Sequence, residues 1–164
     1  MTIRPAKFGD ITRMAELMTE MHQKSIYADR CGLDIKLSKA LFFNCIQKHG
    51  HLHEGGARVV VAEKAGQVEG FLIGMLERVY HVGDKLMATD LFFCTSEAAD
   101  PRDASRLIDD FLKWAKGNPA VVEVLMGVTN AIGDYSRAEK LYSRKGLSRC
   151  GVMYEGRVEH VQSI

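Results

Sequence analysis

The sequence predicts one α/β domain of the α+β kind, in which a central mixed, mostly antiparallel sheet is flanked by about four helices. Three observations carry this. Three β-rich runs follow one another in the middle of the chain with only short turns between them. Segments of helical apolar spacing lie before and after those runs, and helix and strand patterns alternate towards the end. The composition, 46% hydrophobic and 26% charged over 164 residues, is that of a globular chain able to bury a sizeable core without disulfides or a structural metal.

A short strand over Thr2–Arg4 opens the chain. Asp10 is placed to cap a first helix over about residues 10–24, in which Ile11, Met14, Ala15, Met18 and Met21 share one face. Ser25–Leu37 is mixed and reads as a loop. Ser38 then caps a second helix, Ser38–His49, with Leu41, Phe42, Cys45 and Ile46 inward and Gly50 at the exit. Ala57–Lys64 and Val68–Tyr80 form a hairpin about Ala65-Gly66-Gln67, and Leu86–Thr95 adds a third strand after the His81–Asp84 turn. Asp100-Pro101-Arg102-Asp103 is a helix start, with a cap, a proline at the first position and an acid in the positive first turn. Ala104, Leu107, Ile108, Phe111, Leu112 and Ala115 continue it as one stripe up to Gly117-Asn118-Pro119. A strand over Val121–Thr129, a helix capped by Asp134 and carrying Ala138, Leu141 and Tyr142, and a final strand over Leu147–Glu155 complete the order. No internal repeat or linker interrupts the single domain, residues 1–164.

Charge and cysteines narrow the function classes. Lys and Arg total 22 against 21 Asp and Glu, so there is no broad basic field for nucleic acid or an anionic membrane. Met1–Asp10 lacks an apolar signal region, and the longest apolar stretch, Gly70–Leu76, is too short to span a bilayer. Cys31, Cys45, Cys94 and Cys150 form no C-x-x-C pair and read as buried thiols in a reducing compartment; the expected location is cytoplasmic.

Local sequence along nearly the whole chain resembles the GNAT superfamily of acyl-CoA N-acyltransferases. Ile3-Arg4-Pro5-Ala6 with Asp10-Ile11 is similar to that family's first strand and helix start, and Val68-Glu69-Gly70-Phe71 to its third strand. Ala138-Glu139-Lys140-Leu141-Tyr142 followed by Gly146-Leu147 matches its A-x-x-L-Y-x-x-x-G-[FL] segment in the last helix. The resemblance implies an N-acetyltransferase that moves acetyl or a similar acyl group from acetyl-CoA, as cosubstrate, to an amine of a small molecule or protein. It implies that the pantetheine arm lies between the fourth and fifth strands, here Leu86–Thr95 and Val121–Thr129. A homodimer is a possible assembly. The alternative is a catalytically silent domain of this type that serves as a binding module.

Such chemistry removes a proton from the amine and returns one to the departing thiolate. A thiol titrates at about 8.5 and a phenol at about 10, so a tyrosine beside the sulfur can supply that proton without ionising first. The resemblance gives Tyr142 this role, the alternative being a plain core position. Asp90 matches the acidic residue on the fourth strand and is the expected base, the alternative being a strand carboxylate paired with a cation. His81 is a further candidate base, although an isolated histidine at a turn ordinarily reads as a solvated residue. Cofactor contacts fall on Phe92 and Cys94 of the fourth strand and on Arg102, Ala104, Ser105 and Arg106 at the third helix start.

That start departs from the family signature [QR]-x-x-G-x-[GA], whose small residues let backbone N–H groups reach a pyrophosphate. Ala99, Arg102 and Ala104 occupy the signature positions, and only Ala104 fits. Asp100 and Asp103 bring carboxylates to the N–H groups that should receive phosphate, while Arg102 and Arg106 could compensate. His49, His51, His53 and Glu54 match no metal-site spacing and read as a solvated loop, so no metal is expected.

Overall fold

Ala65 and Gly66, both at positive φ (51° and 81°), turn the chain between two strands with the twist a two-residue hairpin needs. They join β2 (Ala57–Lys64) to β3 (Gln67–Arg78) in a computed structural model that describes residues 2–156 and residue 158. With β1 (Thr2–Pro5), β4 (Leu86–Thr95) and β5 (Val121–Leu125) these make a five-stranded sheet in the order β1-β2-β3-β4-β5. The first three pairings are antiparallel and the last, β4 with β5, is parallel, as a helical crossover requires.

The helices are α1 (Ile11–Gln23), α2 (Ile35–Gln47), α3 (Pro101–Lys116) and α4 (Ser136–Arg144). They cover both faces of the sheet, which is why the run Val59-Val60-Val61-Ala62 is apolar without alternation and fully buried. Val59, Val61, Phe71 and Ile73 pack with Met14 and Leu17 of α1 and Phe42 of α2. Val60, Leu72, Leu76 and Ala88 pack on the other side with Leu107, Ile108 and Phe111 of α3 and Tyr142 of α4. Gly74 sets the approach of α3, because a Cβ there would fall 2.2 Å from the Phe111 ring.

Several local expectations are corrected. The Asp10 carboxylate does not cap α1; it accepts the Lys7 N–H at 2.7 Å and forks onto Arg4 at 2.8 and 3.0 Å, since a preceding 3-10 turn over Phe8–Asp10 brings both within reach. The second helix starts earlier than its serine: Asp34 takes the Leu37 N–H at 2.8 Å, and Ser38 lies inside the first turn with its hydroxyl donating to Asp34 O. Asp134 does hold the start of α4, accepting the Ser136 N–H at 2.9 Å. The fifth strand ends at Leu125 instead of Thr129.

The final strand over Leu147–Glu155 does not form. A half-buried strand needs one alternating set of side chains on the core, yet Val152, Met153 and Tyr154 are all exposed and lie between Gly151 and Gly156. Cys45 and Cys94 are buried, whereas Cys31 and Cys150 are exposed, because each of these falls in the irregular chain next to a helix end. No described helix is long and apolar enough to cross a membrane.

Candidate active site

The parallel pairing of β4 with β5 runs from Leu86 and Val121 to Thr89 and Leu125; β4 continues to Thr95 while its partner ends. The two chains therefore part immediately after Thr89. Asp90 is the first residue past that fork and Gly127 stands on the opposite arm, where the Asp90 carboxylate accepts the Gly127 N–H at 2.8 Å. Tyr142, reaching in from α4, donates its hydroxyl to Gly127 O at 3.3 Å. One residue, Gly127, thus gathers through its N–H and its C=O both residues singled out for proton transfer. An added Cβ at Gly127 would meet nothing within 4 Å, so no side chain crowds the glycine itself.

A β-bulge turns Asp90 towards Tyr142. Phe92 pairs with Ile73 and Asp90 with Gly74, leaving Leu91 as the extra residue of β4. Ile73 and Gly74 face opposite sides of the sheet, so Asp90 and Phe92, two apart in sequence, do so as well. Asp90 shares the α3 and α4 side with Tyr142. Phe92 and Cys94 belong to the α1 and α2 side, where the Phe92 ring meets Phe42 edge-on at 5.9 Å and Cys94 is buried.

Electrostatics at the fork favour proton exchange. Burial raises the Asp90 pKa above the ordinary aspartate value, against the opposing effect of the Gly127 N–H. Burial also raises that of Tyr142, and the nearby Asp90 charge adds to it. The carboxylate is a stronger base than a solvated one, and the phenol stays protonated as a donor. Cys94, pushed up to about 12 by burial, is an unreactive thiol.

The start of α3 is occupied by its own side chains. Asp100 accepts the Arg102 N–H at 2.8 Å, Asp103 accepts the Asp100 N–H at 3.1 Å, and the Asp103 N–H bonds Asp100 O at 2.7 Å. Pro101 has no N–H to offer. Ser96 takes the Ala98 and Ala99 N–H groups through its hydroxyl and carbonyl, at 3.2 and 3.3 Å. Arg102 pairs with Asp100 at 3.1 Å and Arg106 approaches Asp103 at 3.7 Å. Ala104 and Ser105 follow in the partly buried first turn. The residues present therefore do not fit the pyrophosphate of CoA, while β4 beyond Thr89 has no paired strand on its β5 side.

Among the histidines, His49 is withdrawn from its neighbours, accepting the Val59 N–H on Nδ1 at 3.0 Å beside the Arg58–Asp110 ion pair. His81 is exposed in the β3–β4 turn at φ 62°. An open depression of about 520 Å³ between the end of α1 and the start of α2, lined by Thr19, His22, Asp29, Arg30 and Cys31 among others, includes no residue of the fork. The connection between those helices does reach the far arm, with the Ile26 N–H on Ala131 O at 2.9 Å. The one site residue that sequence reasoning did not single out is Gly127; its signal was an isolated glycine inside an otherwise strand-like run.

No protein-family model and no curated protein matches the chain in sequence. Solved structures match in fold. A ribosomal-protein-alanine N-acetyltransferase from Brucella melitensis aligns with a TM-score of 0.72 at 18% identity, over 92% of this chain and 86% of that one. An acetyltransferase of Trypanosoma brucei aligns at 0.68 and 11% identity, over 96% and 99%. A transcriptional regulator from Bacillus halodurans C-125 aligns at 0.67 and 19% identity, over 98% and 99%. The chain thus has the fold of the GNAT acetyltransferases. A fold shared at such identities with both enzymes and a regulator leaves function to be argued from the site.

Proposed function

We propose that this protein is an N-acyltransferase that moves acetyl or a similar acyl group from a thioester to an amine by direct attack at the β4–β5 fork. The observation that carries the reading is the convergence of Asp90 and Tyr142 on the N–H and C=O of Gly127, a base and an acid of shifted pKa at the point where the sheet opens. The pantetheine arm of the donor lies along the open edge of β4, beyond the last β4–β5 pair. Asp90 takes the ammonium proton of the acceptor, directly or through one water, and Tyr142 protonates the departing sulfur. The acceptor, an amine of a small molecule or a protein, enters from the side where the α1–α2 connection meets Ala131. Acetyl-CoA is the donor that the fold suggests, and its acyl and pantetheine portions suit the fork better than its pyrophosphate suits α3.

The test is amine-dependent release of free thiol from acetyl thioesters, run against a panel of polyamines, amino acids and peptide N-termini, with the amide product weighed by mass spectrometry. Release that requires both enzyme and amine supports the reading, and none above thioester hydrolysis with any donor refutes it. One observation favours a second reading, the silent binding module: the self-occupied start of α3. The same assay decides between the two.

A further inference from the structure

If the fork performs acyl transfer, the start of α3 restricts which thioester it accepts. A diphosphate bound at a helix N-terminus needs free N–H groups and a local excess of positive charge. Here Asp100 and Asp103 take the N–H groups of Arg102 and Asp100, Ser96 takes those of Ala98 and Ala99, and Pro101 contributes none. The two arginines add no surplus, since Arg102 is paired with Asp100 and Arg106 lies next to Asp103. Asp103 supplies a further, independent obstacle: its side chain is 1% exposed, and its Oδ1 atom is buried without a hydrogen-bond partner. It is a second carboxylate held within the first turn of α3, where it takes the place at the helix start that an added anion would need.

We infer that the acyl donor is a pantetheine thioester recognised without a nucleotide diphosphate, either a small free thioester or the pantetheine arm of a carrier protein. This deepens the acyl-transfer reading and rests on it. The reaction stays balanced: the amine nitrogen forms a bond to the thioester carbonyl carbon and the C–S bond breaks with its electron pair on sulfur. The amine attacks in its neutral form; one of its protons leaves to Asp90 while the sulfur gains one from Tyr142, and return of the Asp90 proton to the Tyr142 phenolate restores both groups, giving amide and pantetheine thiol with no other reactant.

The experiment compares S-acetyl-pantetheine, acetyl-CoA and an acetyl-phosphopantetheinyl carrier protein as donors to one amine from the panel. The expected result is a kcat/KM for acetyl-CoA within about threefold of that for S-acetyl-pantetheine, nearly unchanged between about 50 and 300 mM salt, because no ionic contact to the diphosphate is formed. The Asp100→Asn/Asp103→Asn variant should leave the KM for acetyl-CoA and for S-acetyl-pantetheine each within about threefold of the parent, since the asparagine oxygens still accept the same N–H groups and no diphosphate contact is there to be strengthened. A carrier protein at least about tenfold better than the free thioester identifies the carrier as the source, and equal rates identify the small thioester. A preference for acetyl-CoA of about 100-fold, the contribution of a built phosphate site, overturns this inference and leaves the acyl-transfer reading standing. Absence of amine-dependent thiol release with every donor overturns the acyl-transfer reading and this inference with it.

Discussion

Replacing Asp103 by alanine tests the closed start of α3 through stability alone. Its carboxylate accepts the Asp100 N–H at 3.1 Å and is 1% exposed, so truncation removes that donor's partner in a part-buried site and empties the space the carboxylate filled. A lost cap of this kind costs up to about 2 kcal/mol, and an orphaned buried donor falls in the same range. For a chain of this size about 2 kcal/mol corresponds to a fall of about 4–8 °C in melting temperature. Asp103→Asn provides the control, because its amide oxygen still accepts the Asp100 N–H in a side chain of the same shape; it should melt within about 2 °C of the parent. Differential scanning calorimetry of the three proteins reads both effects. An alanine variant that melts with the parent, or an asparagine variant that falls as far as alanine, would show that the hydrogen bond does not hold this helix start.

Gly74→Ala places a methyl against the Phe111 ring and should cost about 1–3 kcal/mol in urea unfolding, part of it recovered when Phe111→Leu is added; additive losses would contradict the packing argument. The pKa of His49 is held below the ordinary histidine value by burial first and by the Arg58 charge second, so the unfolded chain binds the extra proton more readily. Its contribution to stability is therefore complete above about pH 6.5 and is lost as pH falls through the lower folded value. Urea midpoints between about pH 7.5 and 5 should fall in the parent and fall less in His49→Asn, and equal slopes would assign the dependence to other groups. Asp90, with its pKa raised chiefly by burial, should give the rate of acyl transfer an acidic limb above the ordinary aspartate range. Asp90→Asn keeps an acceptor for the Gly127 N–H and should remove that limb; a limb that persists would return Asp90 to a purely structural clamp.

Elements with their own local chemistry were legible in the sequence. The Ala65-Gly66 turn, the Leu86–Thr95 strand and the Pro101–Lys116 helix stand where turn residues, an apolar and aromatic run after a turn, and an N-cap with proline indicate. The helix start at Asp10 was placed correctly, but Arg4 and the Lys7 N–H claim the carboxylate expected to cap it, and the start at Ser38 was misplaced because Asp34 stands ahead of the serine and caps first. The strand expected after Gly146 failed for another reason. Its apolar residues match the β pattern, but no buried face receives them.

At the site, Tyr142 and Asp90 were visible as residue types in a familiar order, whereas their meeting was not. It depends on the bulge at Leu91, which carries no glycine or proline to announce it, and on where β5 stops. The same bulge separates Phe92 and Cys94 from Asp90, a division that strict alternation along the strand would not give. The closed helix start was foreseeable from Asp100 and Asp103 together, since both carboxylates precede a helix whose first N–H groups seek acceptors.

The most direct test of the central claim is the single-turnover rate of acyl transfer from a bound acetyl thioester to a reactive amine in Tyr142→Phe against the parent. The variant removes one hydroxyl that donates to Gly127 O and leaves the ring in the α3–α4 core. The account predicts a rate about 10²-fold lower with donor affinity and melting temperature nearly unchanged, because only the proton for the leaving sulfur is lost. Equal rates in the two proteins would contradict it and leave Tyr142 a core residue with no part in the chemistry.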